Sequence, residues 1–231
     1  MKVEIWSDVV CPFCYIGKRK LEKALENFPA RNQLEIVWRS FQLDPEAKPK
    51  QGESVDEYLA NRKGVSIAEG KRINDSMTVL ASEVGLEYHL DTAIVNNTLD
   101  AHRLLHLAKI RGLQNQMKER LFAAYYTESQ NIGDIDTLIK LGVEVGLNKN
   151  EIRTTLLSDK FTEDVALDIY EAKQIGVNGV PFFVFNNKYA ISGAQPSDIF
   201  QEVLNKVYEE EKPLIISEGS TGFCTIDGIC K

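Results

Sequence analysis

The sequence predicts an α/β fold in which a small strand-and-helix unit is split by a large all-helical insertion. Three observations predict it. A strand-like run at 2–6 leads into Cys11-Pro12-Phe13-Cys14 and a segment of helical period. More than a hundred residues of helical pattern follow a Pro- and Lys-rich loop at 44–51. An aromatic apolar run, Phe182-Phe183-Val184-Phe185, then opens a second strand-bearing unit. The expected organisation is a discontinuous domain of residues 1–43 and 177–211, an insertion of residues 44–176, and a tail of residues 212–231.

Each element has a local cause. After the first strand, Ile16, Leu21, Ala24, Leu25 and Phe28 recur near helical spacing, and Pro12 suits a first helical turn, where its missing N–H costs nothing. At 34–41, Leu34, Ile36, Trp38 and Ser40 alternate with Glu35, Val37 and Arg39, the period of a strand. Ser54-Val55-Asp56-Glu57 reads as a helix cap with a carboxylate three positions on. Gly85, Gly112 and Gly146 each follow an amphipathic run, as helix stops do. Asn97 and Thr98 read as the cap of a helix that buries Leu99, Leu104, Leu105 and Ala108. About six helices are expected before the last one ends near Gln174. Asn186-Asn187 marks a tight turn, 188–192 returns as the partner strand, and a helix at 197–210 closes the pattern. The residues beyond 211 show no period.

With 43% apolar and 26% charged residues in 231, the chain has enough apolar material for a sizeable core without metals or many disulfides. No stretch approaches the roughly 18 apolar residues of a membrane span, and Met1 runs straight into Lys2-Val3-Glu4-Ile5-Trp6 without an apolar signal region. A soluble, cytoplasmic protein is expected. The net charge of −7 with scattered Lys and Arg excludes the basic footprint of a nucleic-acid binder. The four cysteines form two close pairs, Cys11/Cys14 and Cys224/Cys230, and in a reducing compartment such pairs mean redox chemistry or metal more often than structure.

For the first pair the setting favours redox. A zinc half-site usually sits on a tight turn between short strands, whereas here a strand, a short loop and Cys-Pro-Phe-Cys open a helix. The first sulfur then meets unpaired backbone N–H groups and the positive end of the helix dipole. Lowering its pKa from about 8.5 to about 6.5 corresponds to about 2.7 kcal/mol of thiolate stabilisation. Cys11 is expected to be the exposed nucleophile, with Cys14 shielded one turn later and placed to attack a mixed disulfide from within.

Three segments carry a resemblance: Ser7-Asp8-Val9-Val10-Cys11-Pro12-Phe13-Cys14-Tyr15-Ile16-Gly17, Asn97-Thr98-Leu99-Asp100-Ala101-His102-Arg103-Leu104, and Gly176-Val177-Asn178-Gly179-Val180-Pro181-Phe182-Phe183. Together they resemble the DsbA family of the thioredoxin superfamily, in particular its cytoplasmic FrnE-like branch, over nearly the whole chain. The resemblance implies a thioredoxin-like fold with a helical insertion and a protein disulfide oxidoreductase or isomerase that needs no cofactor. It implies a cis Pro181 facing the sulfurs and a Val180 backbone offered to an extended substrate, beside Pro12 and Phe13. The expected partners are oxidised or unfolded proteins, with glutathione or another thiol reductant as the alternative; no nucleic acid, membrane or metal is expected. Where strongly oxidising members carry Pro-His between the cysteines, this chain has Pro-Phe, which predicts a weaker oxidant.

Several further residues are candidates. Glu4 interrupts an apolar strand, reading either as a solvent-facing position or as a buried carboxylate that exchanges protons with Cys14. His102 and His106 lie one helical turn apart, with no partner carboxylate visible in the sequence. Cys224 and Cys230 flank Asp227-Gly228, a turn-favouring pair, and suggest an auxiliary disulfide. Two rival functions stand beside disulfide exchange. A glutathione-dependent isomerase or transferase of the 2-hydroxychromene-2-carboxylate isomerase or kappa type shares the inserted architecture but typically has serine at the first motif position. A zinc module would use all four cysteines as thiolates.

Overall fold

The computed structural model describes residues 1–48 and 52–211. In chain order the elements are β1 (Lys2–Ser7), α1 (Pro12–Leu25), β2 (Glu35–Ser40), α2 (Val55–Lys63), α3 (Ile67–Ser82), α4 (Leu99–Ile110), α5 (Gln114–Tyr126), α6 (Ile135–Glu144), α7 (Lys149–Leu156), α8 (Thr162–Gln174), β3 (Phe182–Phe185), β4 (Tyr189–Ser192) and α9 (Ser197–Glu211). Among the described residues seven helices separate β2 from β3, against the six or so that the sequence suggests. Among the described residues no helix is long and apolar enough to cross a membrane.

The strands form one sheet in the order β2-β1-β3-β4. β1 and β2 run parallel because α1 crosses between them, whereas β3 returns antiparallel to β1 and folds back onto β4. Asn186 and Asn187 take φ of 46° and 54°, the left-handed central pair of a turn that the Lys188 N–H closes onto the Phe185 carbonyl at 2.9 Å, within the three residues that join Phe185 to its partner Tyr189.

Strand alternation sorts the side chains between two faces. Val3 and Ile5, with Phe183, Phe185 and Ile191, pack against Leu21, Ala24 and Phe28 of α1 and Phe200, Leu204 and Val207 of α9. Complete burial of such side chains stabilises the fold by roughly 1.5–3 kcal/mol each. Trp6 packs with Ala172 and Val177, and its indole N–H donates to the Asp168 carbonyl of α8 at 2.8 Å.

The helical insertion has its own core, built from Leu104, Leu107, Met117, Leu121, Phe122 and their neighbours, and this core continues into Cys11, Cys14, Tyr15 and Ile16. Helix α1 is therefore apolar on two sides, with Leu21 and Ala24 toward the sheet and Cys14 and Tyr15 toward the insertion. The edge strand β2 anchors the insertion: the Gln114 side chain accepts from the Trp38 N–H at 3.0 Å and donates to its carbonyl at 2.9 Å. Free strand edges otherwise invite pairing with other chains, and this amide occupies one.

The local stop and start signals act as their chemistry dictates. Ser54 and Glu57 form the reciprocal capping box, and Gly85, Gly112 and Gly146 adopt φ of 75°, 69° and 101°. At α4 the cap is supplied by Asn97, whose Oδ1 accepts from the Leu99 N–H at 2.9 Å, while Thr98 at the N-cap position makes no such bond.

Candidate active site

Cys11 is the N-cap of α1, with extended backbone (φ −90°, ψ 113°), and Pro12 begins the helix. The Cys14 N–H donates to the Cys11 carbonyl at 3.0 Å, closing the first turn and bringing the two side chains to one end. The Cys11 thiol donates to the Val180 carbonyl at 3.3 Å across a sequence separation of 169 residues. The Val180–Pro181 peptide is cis. Gly17, one turn after Cys14, lets α1 approach this proline: a Cβ there would lie 3.0 Å from Pro181 Cγ and 3.2 Å from Phe183 Cζ. The insertion grips the same turn, because the Tyr88 hydroxyl donates to the Pro12 carbonyl at 2.8 Å and Tyr15 stacks on Phe122 at 4.6 Å between centroids.

Two expectations for the thiols are corrected. Both sulfur-bearing residues are buried, Cys11 at 3% and Cys14 at 1% exposure, because the helical insertion covers the end of α1; the exposed member of the motif is Phe13, at 42%. Nor is the Cys11 thiol lowered in this dithiol state. The hydrogen bond with Cys14 and burial push it well above the ordinary thiol range, the neighbouring sulfur and the Asp8 charge add to this, and the Cys14 backbone N–H opposes them. The helix end is present, but a second buried thiol and lost water outweigh it.

Three buried ionisable groups surround the pair. Asp8 Oδ1 accepts from the Val9 N–H at 2.8 Å, and Oδ2 accepts from the Leu43 N–H at 2.7 Å. His102 Nε2 lies 3.2 Å from Asp8 Oδ1. Burial alone would raise the Asp8 carboxyl, yet the bonds from His102 and Leu43 bring it below its usual range. Burial lowers His102 despite the Asp8 charge, so the imidazole is neutral at pH 7, Nε2–H donates, and the buried Nδ1 has no hydrogen-bond partner in the structure. Lys118 of α5 is completely buried; its ammonium donates to the Ser7 carbonyl at 3.4 Å and stands over the rings of Phe122 (4.8 Å) and Trp38 (5.3 Å). Desolvation pulls its pKa down to about 8, opposed by the charges of Cys14, Asp8 and Cys11.

Sequence reasoning missed this trio. His102 has the carboxylate partner the sequence did not reveal, 94 residues away at Asp8. Lys118 reads as an ordinary surface lysine, although its spacing with Gln114, Phe122 and Tyr125 put it on the buried face of α5, which was the available signal.

Glu4 is buried, but its carboxylate belongs to another network: Arg39 donates from Nε at 2.8 Å, and the Lys2 ammonium lies 3.0 Å away. Burial raises this carboxyl, and the bonds from Lys2 and Arg39 more than reverse it. Of the two readings of Glu4, the solvent-facing one is corrected: the carboxylate is buried and paired with Arg39 and Lys2. His106 bonds Ser40 Oγ at 3.1 Å and lies 3.2 Å from Asp168 Oδ2, whereas His102 turns to Asp8. Among the described residues no cluster of three or more His, Cys, Asp or Glu is placed to hold a metal. Cys224 and Cys230 lie outside the described residues.

Beside Cys11 opens a cavity of about 460 Å³ between the sheet unit and the insertion. Pro12, Phe13 and Val180 line it from the sheet side; Tyr58, Met77 and Tyr125 are among the residues that line it from the insertion. Its walls are mostly apolar, and Arg62 and Lys63 lie among the lining residues. Such a space beside a thiol accepts an apolar side chain or a small thiol compound.

Comparison with known proteins agrees with this geometry. Over 208 residues the chain is 27% identical to the uncharacterised protein YwbO of Bacillus subtilis, covering 88% of this chain and 95% of that one. The crystal structure of a probable DsbA oxidoreductase from Streptomyces coelicolor superposes with a TM-score of 0.85 at 36% identity, covering 99% of this chain and 97% of the other. The cytosolic disulfide reductase DsbM of Pseudomonas aeruginosa, solved with glutathione, shares the fold at 16% identity and a TM-score of 0.64, over 90% of this chain and all of that one. The family model of the DSBA-like thioredoxin domain matches residues 2–205. With nearly the whole described chain inside that match, the protein belongs to the DSBA-like thioredoxin-domain family.

Proposed function

We propose that the chain exchanges thiols and disulfides on protein substrates, with Cys11 attacking and Cys14 resolving. Family membership and oxidoreductase neighbours support thiol-disulfide oxidoreductase activity in general; the roles of individual residues are our reading. The observation that carries it is the Cys11 sulfur 3.3 Å from the Val180 carbonyl, at the edge of an apolar cavity and beside the exposed Phe13 ring. An extended peptide paired with the Val180 backbone brings its own sulfur to Cys11.

In the reducing direction the Cys11 thiolate attacks a substrate disulfide, forming a Cys11–substrate bond and releasing the first substrate thiolate. Cys14, deprotonated, then attacks Cys11, forming the Cys11–Cys14 disulfide and releasing the second. Two electrons and two protons pass from the dithiol to the substrate, and the oxidising direction is the reverse. Glutathione or a similar thiol would restore the dithiol, in a cytoplasmic setting like that of the FrnE-like branch. The division at residues 43/44 and 176/177 makes the insertion the far wall of the substrate groove. Cysteine at both motif positions favours this reading over the isomerase type, which does not need the second sulfur.

The test is a redox titration of the wild type beside Cys14→Ala, both challenged with a peptide disulfide. Cys14→Ala should accumulate a mixed disulfide that mass mapping assigns to Cys11. No adduct, or stoichiometric zinc in protein purified without chelator, would overturn the proposal.

A further inference from the structure

We propose that Lys118 carries the proton of the resolving thiol, taking it from Cys14 as Cys14 attacks the mixed disulfide and returning it when Cys14 is displaced. This inference rests on the exchange chemistry proposed above and assigns a residue to its least explained step. A thiol attacks only as its proton leaves, and water has little access to Cys14 at 1% exposure.

The geometry supplies the acceptor. Gln114 fixes the start of α5 against the edge of β2, and one turn later the Lys118 side chain passes under Trp38 and Phe122 to the end of β1. There its amine donates to the Ser7 carbonyl, four residues before Cys11, and stands over the same Phe122 ring on which Tyr15, the neighbour of Cys14, stacks; the charges of both sulfurs oppose its desolvation. A buried lysine changes its proton affinity readily, whereas an arginine does not.

The groups that face Lys118 come from every side. From α1 and its N-cap there are Cys14 and Cys11, from the loop after β1 there is Asp8, and from α4 there is His102. β2 contributes the Trp38 ring, which does not titrate. Tyr88 and Tyr126 also sense the sulfurs, and burial holds both phenols far above the neutral range, so they do not take this proton. Asp8 is already ionised below its usual range and committed to two backbone N–H groups and His102, and the His102 nitrogen that faces it carries the shared proton.

The step balances. Cys14–SH and the neutral Lys118 amine become Cys14 thiolate and ammonium. The thiolate forms the bond to Cys11 as the Cys11–substrate bond breaks, and the substrate leaves as a thiolate. With the thiolate charge gone, the ammonium is left in a desolvated site and gives its proton to the departing thiolate or to solvent. In the reverse direction the ammonium neutralises Cys14 as it is released.

The test separates attack from resolution by rapid mixing of full-length protein with a peptide disulfide between pH 6 and 10. In the wild type the resolving rate should rise through an inflection near pH 8, the value set by Lys118. Lys118→Met should slow resolution at pH 7 by about a hundredfold, the usual scale of one acid–base group, and lose that inflection, while adduct formation on Cys11 and the KM for the peptide stay within a factor of three. A second measurement needs no substitution at 118: in protein labelled at the lysine Cε carbons, one resonance should titrate near pH 8 and move when Cys14 is replaced by Ala. Unchanged pH profiles in Lys118→Met, or lysine resonances that all titrate near the ordinary value and ignore Cys14, overturn the role of Lys118. Absence of any adduct in the wild type overturns the exchange reading itself.

Discussion

Two clusters bury charge against β1, and they treat it in opposite ways. On one, Glu4 meets Arg39 and Lys2, Arg39 also meets Asp168 at 2.8 Å, and Asp168 accepts the Ser40 N–H at 2.8 Å. Every shift there deepens the charge: the two carboxyls are lowered and the guanidinium is raised, after desolvation has worked against each. On the other, Lys118 has a long bond to a carbonyl and two ring faces, His102 is neutral with an orphaned Nδ1, and the Cys11 thiol is pushed up by its buried neighbour and by desolvation. The first cluster holds its ions fixed and so docks α8 on the sheet. The second leaves its protons loosely held beside the paired thiols. Burial is common to both; the number of partners decides whether a buried charge is structural or exchangeable.

The contrast is sharpest if one charge is removed from each side. Arg39→Met strands Glu4 and Asp168, and should cost about 4 kcal/mol in urea unfolding while alkylation of Cys11 keeps its wild-type rate. The sign with pH follows from the lowered carboxyls: their contribution is present above pH values near 4.5 and 3.8 and is lost as pH falls through the lower folded values, so the variant should lack that acid slope. A tenfold change in alkylation rate would mean that the clusters are not separate.

Lys118→Met should do the reverse and stabilise the fold at pH 7 by about 2 kcal/mol, because it removes a desolvated ammonium and keeps the stem's packing. Here the folded-state pKa falls from 10.5 to about 8, so between those values the unfolded chain holds the extra proton and wild-type stability climbs as pH rises. Calorimetry across pH 7 to 10.5 should show that climb in the wild type and a flat line in the variant. A destabilised variant would place Lys118 with the fixed charges instead.

The smallest change adds charge to the mobile side. Phe13→His should make the protein a stronger oxidant by about 30 mV, or about 1.4 kcal/mol, by favouring the thiolate of the reduced form. Equilibration against a glutathione buffer measures it, and an unchanged or more reducing potential refutes it.

How much of this was legible depended on distance along the chain. The Asn186-Asn187 turn, the Ser54–Glu57 capping box and the glycine stops are decided by residues within a few positions of one another, and all three appear as the sequence implies. The same holds for Cys11 and Cys14, whose spacing in a helix start is a local fact. The sequence left Glu4 open between a solvent-facing and a buried position, because strand alternation says that a side chain faces one side of a sheet, not that an arginine from the next strand waits there. The expected exposure of Cys11 failed for a similar reason: a helix end looks open until the core of the helical insertion packs over it.

The sequence by itself determined the element types, the order in which the helices interrupt the strands and the place of the paired cysteines at a helix start, since backbone preference and apolar period act over a few residues. Only the tertiary structure decided what surrounds that pair and how it weighs on the Cys11 thiol. Asp8 finds His102 across 94 residues, Cys11 finds Val180 across 169, and Lys118 is carried to the sulfurs by a helix anchored on a distant strand edge. Proton affinity depends on the dielectric and charges within a few ångströms in space, and folding alone sets those neighbours.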